Sequence, residues 1–444
     1  MTGMRVFSGW GVSSLDRPSN LDRMARRLFH GVISRFRWGR LHLVEGSKRL
    51  TVGRRSNVCP IEATIFVKNP RFYRHVLLAG SVGAGESFAL GNWSADKLTD
   101  ALRIILLNWS MFEQMHREWQ RLSTPAFRLL HLTRQTIDNS QKQVASNFGV
   151  TGDDISVVLP DENLSHTCGI FSRPNTTLTE AVSAAHERLC RKLRLRADDA
   201  VLEIGSAWGG FARHAAKRYG CHVVAAVESD TQIQTSRQRI KADGVGDRVR
   251  IVQKNFRQLE GRYDKLISIE TISSMARRNQ DTFFLVCNRL LKDDGVMAFQ
   301  TVIRTDNSCR QLSAGVNLTG PFVQSNGCLP SLTSISQSVD KHTDLRLVHL
   351  EDLTPHYAVT MRRWRERLYA NVDRARDLGI SERDLKRWAF HLCYGEAGFA
   401  ERHFGCVQLI FAKSLSRHMP ILPPLASKFG VILQKRKNEI ENWL

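Results

Sequence analysis

Within a short stretch the chain sets a carboxylate, a hydroxyl, an indole and three glycines: Glu203-Ile204-Gly205-Ser206-Ala207-Trp208-Gly209-Gly210. The apolar residues Val201 and Leu202 precede it and a helical pattern starts near Phe211, so it reads as strand, glycine-rich turn and helix. That arrangement brings backbone close to a ligand at the edge of a parallel sheet. Gly205, Gly209 and Gly210 do not follow a GxGxxG spacing. The turn therefore suits close passage along a nucleoside rather than the cradling of a diphosphate, which favours S-adenosylmethionine (SAM) over NAD or ATP. Trp208 is expected to wall the ligand. Taken alone, such a turn also serves an α/β domain that binds nothing.

The residues downstream supply what a nucleoside needs. His222-Val223-Val224-Ala225-Ala226-Val227 reads as a second buried strand ending in Glu228-Ser229-Asp230, where an acidic or hydroxyl side chain meets a ribose, with Gln232 just beyond. A third strand over Val249–Phe256 carries Asn255 and Phe256 at its end, an amide to hydrogen-bond adenine and a ring to stack on it. Tyr263–Glu270 gives a fourth strand and Val296–Ile303 a fifth. Strands alternating with helical segments make a doubly wound, Rossmann-like α/β sheet.

These motifs, read together, resemble the cyclopropane-fatty-acyl-phospholipid synthase family, which includes the mycolic acid cyclopropane synthases. The resemblance runs through Glu203-Ile204-Gly205 and Trp208–Phe211, Ser229 with Gln232, and Ser268-Ile269-Glu270. It continues through Asn326-Gly327-Cys328-Leu329-Pro330-Ser331, His356-Tyr357-Ala358 before Trp364, and Glu396-Ala397-Gly398-Phe399. Upstream, Gly39-Arg40-Leu41, Asn69-Pro70-Arg71-Phe72 and Gly83–Trp93 resemble the small N-terminal domain of the longer bacterial members. The resemblance implies a SAM-dependent methyltransferase domain with helical insertions, preceded by a small α/β domain. It implies attack of an acyl-chain double bond on the SAM methyl, followed by loss of a proton to a bound bicarbonate. A homodimer is one further expectation.

Carried over residue by residue, the resemblance assigns catalytic positions to Cys168, Tyr357, Glu270, Ser273 and Gln300, and cofactor contacts to Glu203, Gly205, Ser206, Trp208, Gly209, Gly210, Ser229, Gln232, Asn255 and Phe256. Several positions depart from the family. Ser273 stands for its Glu and Gln300 for its His at the bicarbonate site, where Cys168 and Tyr357 are kept. Asn147-Phe148-Gly149 replaces a His-Tyr-Asp, Phe322 replaces a tyrosine, and Ser206-Ala207 replaces Cys-Gly. Two neutral side chains stabilise an anion less than a Glu and His pair, so bicarbonate is expected to bind weakly and turnover to be low. Each site residue also has an ordinary alternative: Cys168 as a small buried hydrophobe, Tyr357 as an interface cap, and Glu270 as a helix cap.

Composition frames these expectations. The 444 residues, 42% hydrophobic and 24% charged, are enough for two domains. The expected division is an irregular 1–20, a basic lipid-facing 21–135, a methyltransferase domain 136–415 and an extension 416–444. A net charge of +21 attracts anionic lipid or nucleic acid. No nucleic-acid motif accompanies it, and no base-flipping Asn-Pro-Pro-Tyr signature is present, so a nucleic-acid methyltransferase ranks last. Arg23, Arg26, Arg27 and Arg35 interleave with Leu21, Met24, Leu28, Phe29, Val32 and Ile33 at helical spacing. This basic amphipathic helix either packs on its own domain or docks on a membrane. No run reaches bilayer-spanning length, and no signal-peptide core is seen. The expected location is cytoplasmic, peripheral to the inner membrane face. The nine cysteines show neither CxxC nor His/Cys clustering, so no disulfide framework or metal site is indicated. The leading function is methyl or methylene transfer from SAM to an unsaturated phospholipid acyl chain or related lipid. The alternative is a weakened or silent SAM- or lipid-binding homologue.

Overall fold

The computed structural model describes residues 18–112, 164–275, 279–304, 329–417 and 421. Asn147-Phe148-Gly149, Phe322, Asn326-Gly327-Cys328 and nearly all of the expected 1–20 and 416–444 segments lie outside the described residues. Contacts gather the chain into two units: 1–159 with 307–326 and 358–403, and 160–306 with 327–357 and 404–444. This grouping differs from a linear split at 135/136, because 358–403 joins the N-terminal residues.

In the first unit, helix α1 (Asn20–Ile33) opens on a Ser19 cap and an Asp22 capping box, each satisfying an otherwise orphaned backbone donor. Strands β1 (Gly39–Glu45), β2 (Lys48–Arg54), β3 (Glu62–Val67) and β4 (Trp93–Ala95) form a sheet in the order β2-β1-β3-β4, with β1 and β3 parallel. Helix α2 (Arg71–Ala89) lays Phe72 and Tyr73 against Phe29 of α1, with ring centroids 5.4 and 5.7 Å apart. Phe29, Val32 and Ile33 are buried, so this part of the α1 stripe packs on its own unit, while Leu21 and Met24 stay exposed. Helix α3 (Leu98–Leu107) covers the sheet.

In the second unit, α4 (Leu178–Leu193) precedes strand β5 (Ala200–Ile204). The chain then alternates α5 (Gly210–Tyr219), β6 (His222–Val227), α6 (Asp230–Ala242), β7 (Val249–Gln253), β8 (Tyr263–Ile269), α7 (Gln280–Leu290), β9 (Leu291–Arg304), α8 (Leu332–His342) and β10 (Arg346–Asp352). Helices α9 (Thr354–Ala370), α10 (Val372–Asp377) and α11 (Glu382–Ala400) follow, belonging from residue 358 to the first unit, and β11 (Phe404–Ala412), again in the second, is the last strand among the described residues. The sheet order is β10-β11-β9-β8-β5-β6-β7. Strands β9, β8, β5, β6 and β7 run parallel, and β11 enters antiparallel beside β9 with β10 antiparallel to it. The mixed α/β, parallel-dominated class is as expected. The antiparallel pair could not be read from apolar runs, which carry no register.

Two apolar layers sandwich the sheet. Phe256, Phe283, Phe284, Phe299 and Phe411 fill one face, and Leu189, Leu193, Phe211, Ala212, Val223 and Ile240 the other. Burial on both faces explains the near-continuous apolar sequence of β5 and β6.

Only in the first unit do the motif residues Glu396 to Phe399 appear, all buried in α11. Glu396 receives Arg362 and Arg365 at 2.8 Å each, so this carboxylate is a structural ion pair there. Gly85 lets α2 approach α11: a Cβ on it would lie 2.7 Å from the Phe390 ring.

Candidate active site

Strand order reverses direction between β5 and β8, the place where a doubly wound sheet opens a crevice at its strand C-termini. Gly205 leaves β5 at φ +80°, is exposed, and would place a Cβ 2.3 Å from the Thr271 hydroxyl oxygen. Only glycine fits this passage, and the bare backbone is what a nucleoside approaching the turn requires. Gly209 caps α5 at φ +74°, and Gly210 begins that helix. Ala207 holds φ +47°, a region that costs an ordinary residue about 1 kcal/mol or more. The amides of Gly205 and Ser206 donate to the Ala226 carbonyl, at 3.2 and 3.1 Å.

Glu203 is inside the sheet rather than on its rim. It is buried, accepts the Ser206 hydroxyl at 2.7 Å, and burial pushes its carboxyl up to about 7. It ties the turn down. Trp208 is buried as well. Ser229 caps α6 toward the Gln232 amide. Asn255 donates to Glu228 at 2.8 Å, and Glu228 is exposed at the end of β6. Phe256 packs in the core against Phe283, centroids 5.6 Å apart, with the Arg257 guanidinium over its ring. The turn, Ser229, Glu228 and Asn255 thus stand at the ends of adjacent strands. A cavity of about 520 Å³ lined by Arg237, Lys241 and Arg250 lies instead beside the first residues of β7.

The residues expected to do chemistry gather at the ends of β8 and β9. Glu270, just past β8, has φ +57°, a left-handed conformation that a side-chain-bearing residue keeps only when its surroundings impose it. Its Oε1 accepts the Gln300 amide at 3.2 Å and its Oε2 the Val302 backbone N–H at 3.2 Å. The residue keeps some exposure, but its carboxylate is enclosed, and burial pushes it up to about 7. Tyr357 is buried near Glu270, Cys406 and Cys168. Burial first, then those neighbours, holds its phenol protonated well above the ordinary range. Cys168 is fully buried, its thiol directed at the Leu353 carbonyl, 3.7 Å away. Ser273 stands apart from these side chains: its hydroxyl donates to the Glu270 carbonyl at 2.7 Å and shapes the turn.

A polar relay that sequence reasoning missed runs inward from Glu270. Gln300, 1% exposed, donates to Thr167 at 2.5 Å and accepts Gln408 at 2.8 Å. Gln408 accepts the Lys192 ammonium at 2.6 Å, and Lys192 pairs with Glu351 at 2.5 Å, which Arg188 also holds. An ammonium only donates. Lys192 therefore fixes which end of Gln408 faces it, and through Gln408 the orientation of Gln300. A lysine on the apolar side of α4 and a glutamine inside the apolar β11 were the available signals.

The seven-stranded sheet with a glycine-rich turn at its reversal point defines the class of SAM-dependent methyltransferases. The chain belongs to the mycolic acid cyclopropane synthetase family, whose model matches residues 135–409, and whose members are SAM-dependent methyltransferases or cyclopropane synthases. Among similar proteins, a tuberculostearic acid methyltransferase (UfaA1) of Mycobacterium tuberculosis is 29% identical over 79% of this chain and 83% of its own length. The cyclopropane-fatty-acyl-phospholipid synthase of Escherichia coli is 27% identical over 81% and 90%. In fold, the cyclopropane synthase MmaA2 of Mycobacterium tuberculosis superposes with a TM-score of 0.54 at 22% identity, covering 60% of this chain and 95% of that one.

Two outcomes follow. Gly205→Ala should weaken SAM binding at least tenfold by calorimetry, since the methyl meets Thr271 and φ +80° strains it; unchanged affinity would contradict the crevice assignment. Glu203 has its folded pKa raised above the unfolded value, so its contribution to stability falls as pH rises from about 4.5 through 7. Glu203→Gln should therefore gain on wild type by up to about 3 kcal/mol between about pH 5 and pH 8 in urea unfolding.

Proposed function

We propose that the protein transfers a methyl or methylene group from SAM to the double bond of an unsaturated phospholipid acyl chain or a related lipid. One observation carries this reading: Cys168, Tyr357, Glu270 and Gln300 converge at the strand ends, beside the Gly205 turn, on an otherwise apolar sheet. SAM supplies an electrophilic methyl group. The exposed, side-chain-free backbone at Gly205 fits such a ligand, with Gly209, Gly210, Ser206 and Trp208 shaping the turn. Ser229, Gln232, Asn255 and Glu228 would hold its sugar and base. Phe256 would contribute from the core side rather than as an open stacking platform. The enclosed Glu270 carboxylate favours positive charge developing on a nearby alkene carbon, away from water. The names of the relatives, a cyclopropane-fatty-acyl-phospholipid synthase and a tuberculostearic acid methyltransferase, support a lipid acceptor.

The protein is further read as working at an anionic membrane surface. Among the described residues no helix is long and apolar enough to cross a membrane. The exposed face around α1 combines Arg23, Arg27, Arg35 and Arg37 with Leu21, Met24 and Trp38, a basic rim with apolar residues that can enter the headgroup layer.

Incubating the protein with labelled SAM and vesicles of anionic, unsaturated phospholipid should add one CH2 to the acyl chains by mass spectrometry. SAM binding without any such product would leave the silent-homologue reading in its place. Co-sedimentation with anionic vesicles should fall steeply with salt. Replacing Arg23, Arg27, Arg35 and Arg37 by Gln should lower it by roughly fivefold per residue, about 1 kcal/mol each. Equal binding to neutral and anionic vesicles would remove the electrostatic part.

A further inference from the structure

We propose that Glu270 is the base of the reaction: the chain supplies its own carboxylate to the polar position at the ends of β8 and β9, and that carboxylate removes the proton that completes transfer to the alkene. This rests on the lipid-alkene reading above. Three features of the site argue for it.

The position is built to hold an anion, and a side chain already fills it. Both Glu270 oxygens receive N–H donors, one from Gln300 and one from the Val302 backbone, at 3.2 Å each. The left-handed backbone at Glu270 turns the side chain there. The Gln300 donor is not free to flip. Lys192 fixes Gln408, whose amide N–H occupies the Gln300 carbonyl oxygen, leaving the Gln300 amide nitrogen for Glu270 and Thr167. A bicarbonate would have to displace Glu270 to take these donors.

Among the described residues the neighbouring hydroxyl and thiol groups are poorly placed to act as the base, the Cys168 thiol being turned to the Leu353 carbonyl. The Tyr357 phenol and the Cys406 thiol are held protonated by burial. The Ser273 hydroxyl is engaged with the Glu270 carbonyl. Among the described residues the donors to Glu270 are neutral, and its enclosure makes it more basic than an ordinary carboxylate. A carboxylate stabilised by dipoles rather than by a cation keeps its affinity for a proton.

The step balances without another reactant. An alkene carbon bonds to the methyl of the sulfonium as the C–S bond breaks, and the sulfur leaves as a neutral thioether. The other alkene carbon becomes electron-deficient. Glu270 takes a proton from the added methyl, and the C–H electron pair closes the three-membered ring. Removal from the added methyl without ring closure would give a methylene branch after hydride shift. Glu270 returns the proton to solvent.

The test compares wild type, Glu270→Gln and Glu270→Gly with SAM and unsaturated phospholipid vesicles, in carbonate-free buffer and with added bicarbonate. Glycine accepts φ +57° without strain, so the backbone of that variant is spared. Wild type should turn over without bicarbonate. Glu270→Gln should lose about 100-fold or more in kcat, with SAM affinity by calorimetry unchanged. Glu270→Gly should regain turnover with bicarbonate or formate. Independently of turnover, ¹³C-bicarbonate line broadening should appear with Glu270→Gly and not with wild type. A wild type that needs bicarbonate, an active Glu270→Gln, or equal bicarbonate binding with and without the Glu270 side chain would overturn the assignment while leaving the lipid reading intact. SAM binding with no transfer by wild type would overturn the lipid reading and the base role together, and the binding comparison would then decide whether Glu270 fills the anion position.

Discussion

Ile204 and Ser268 are the last parallel partners of β5 and β8. Beyond them the two strands part, and the Thr271 hydroxyl reaches back to the Ile204 carbonyl at 3.0 Å. Together with the Ser268 hydroxyl, which donates to the same carbonyl at 3.2 Å, it holds the glycine turn of one strand against the polar end of the other. The crevice exists because the ladder stops there, and its floor is fixed because Thr271 prevents the ends from spreading. Gly205 on one side and Glu270 on the other both take positive φ, so the backbone is bent on each side of the same seam.

Around this seam the protein buries polar groups in a sheet that is otherwise apolar. The two carboxylates Glu203 and Glu270 lie on adjacent strands, and burial raises both. Their surroundings divide the work. Glu203 is consumed by the turn it anchors, while Glu270 is met by donors that orient it without neutralising it. Lys192, also buried, pairs with Glu351 and is linked to this centre through the amides of Gln408 and Gln300. Dipoles thus surround the Glu270 carboxylate, the arrangement that leaves a proton acceptor both desolvated and available.

How much of this was legible in the sequence depends on the range of the interaction. Glycine spacing, the apolar runs of β5 to β9 and the residues at their ends are local signals, and they placed the turn, Ser229, Asn255 and Glu270 at strand ends. Phe256 read as an open aromatic because a strand end says nothing about which way a ring turns; it faces Phe283. Ser273 read as a site residue by alignment to a carboxylate, but a hydroxyl is short, and it bonds to the nearest carbonyl. The Lys192 and Gln408 contact spans 216 residues, and no local pattern couples them. Likewise, spacing gave α1 an apolar stripe but not its partner, which is Phe72 and Tyr73 of α2.

The position of β11 has a consequence for how the molecule is made. Strands β5 to β9 can pair in the order in which they leave the ribosome, each beside one already synthesised. Gln300, in β9, then waits with its carbonyl oxygen unmatched inside the sheet until Gln408 has been translated and β11 has slid in beside it. Between those moments the nascent chain carries an open sheet edge and an unsatisfied amide at the same place. Strand β11 is therefore both the cover of that edge and the part that sets the orientation of Gln300, so a chain released before residue 408 would retain the nucleoside turn yet lack an ordered reaction centre.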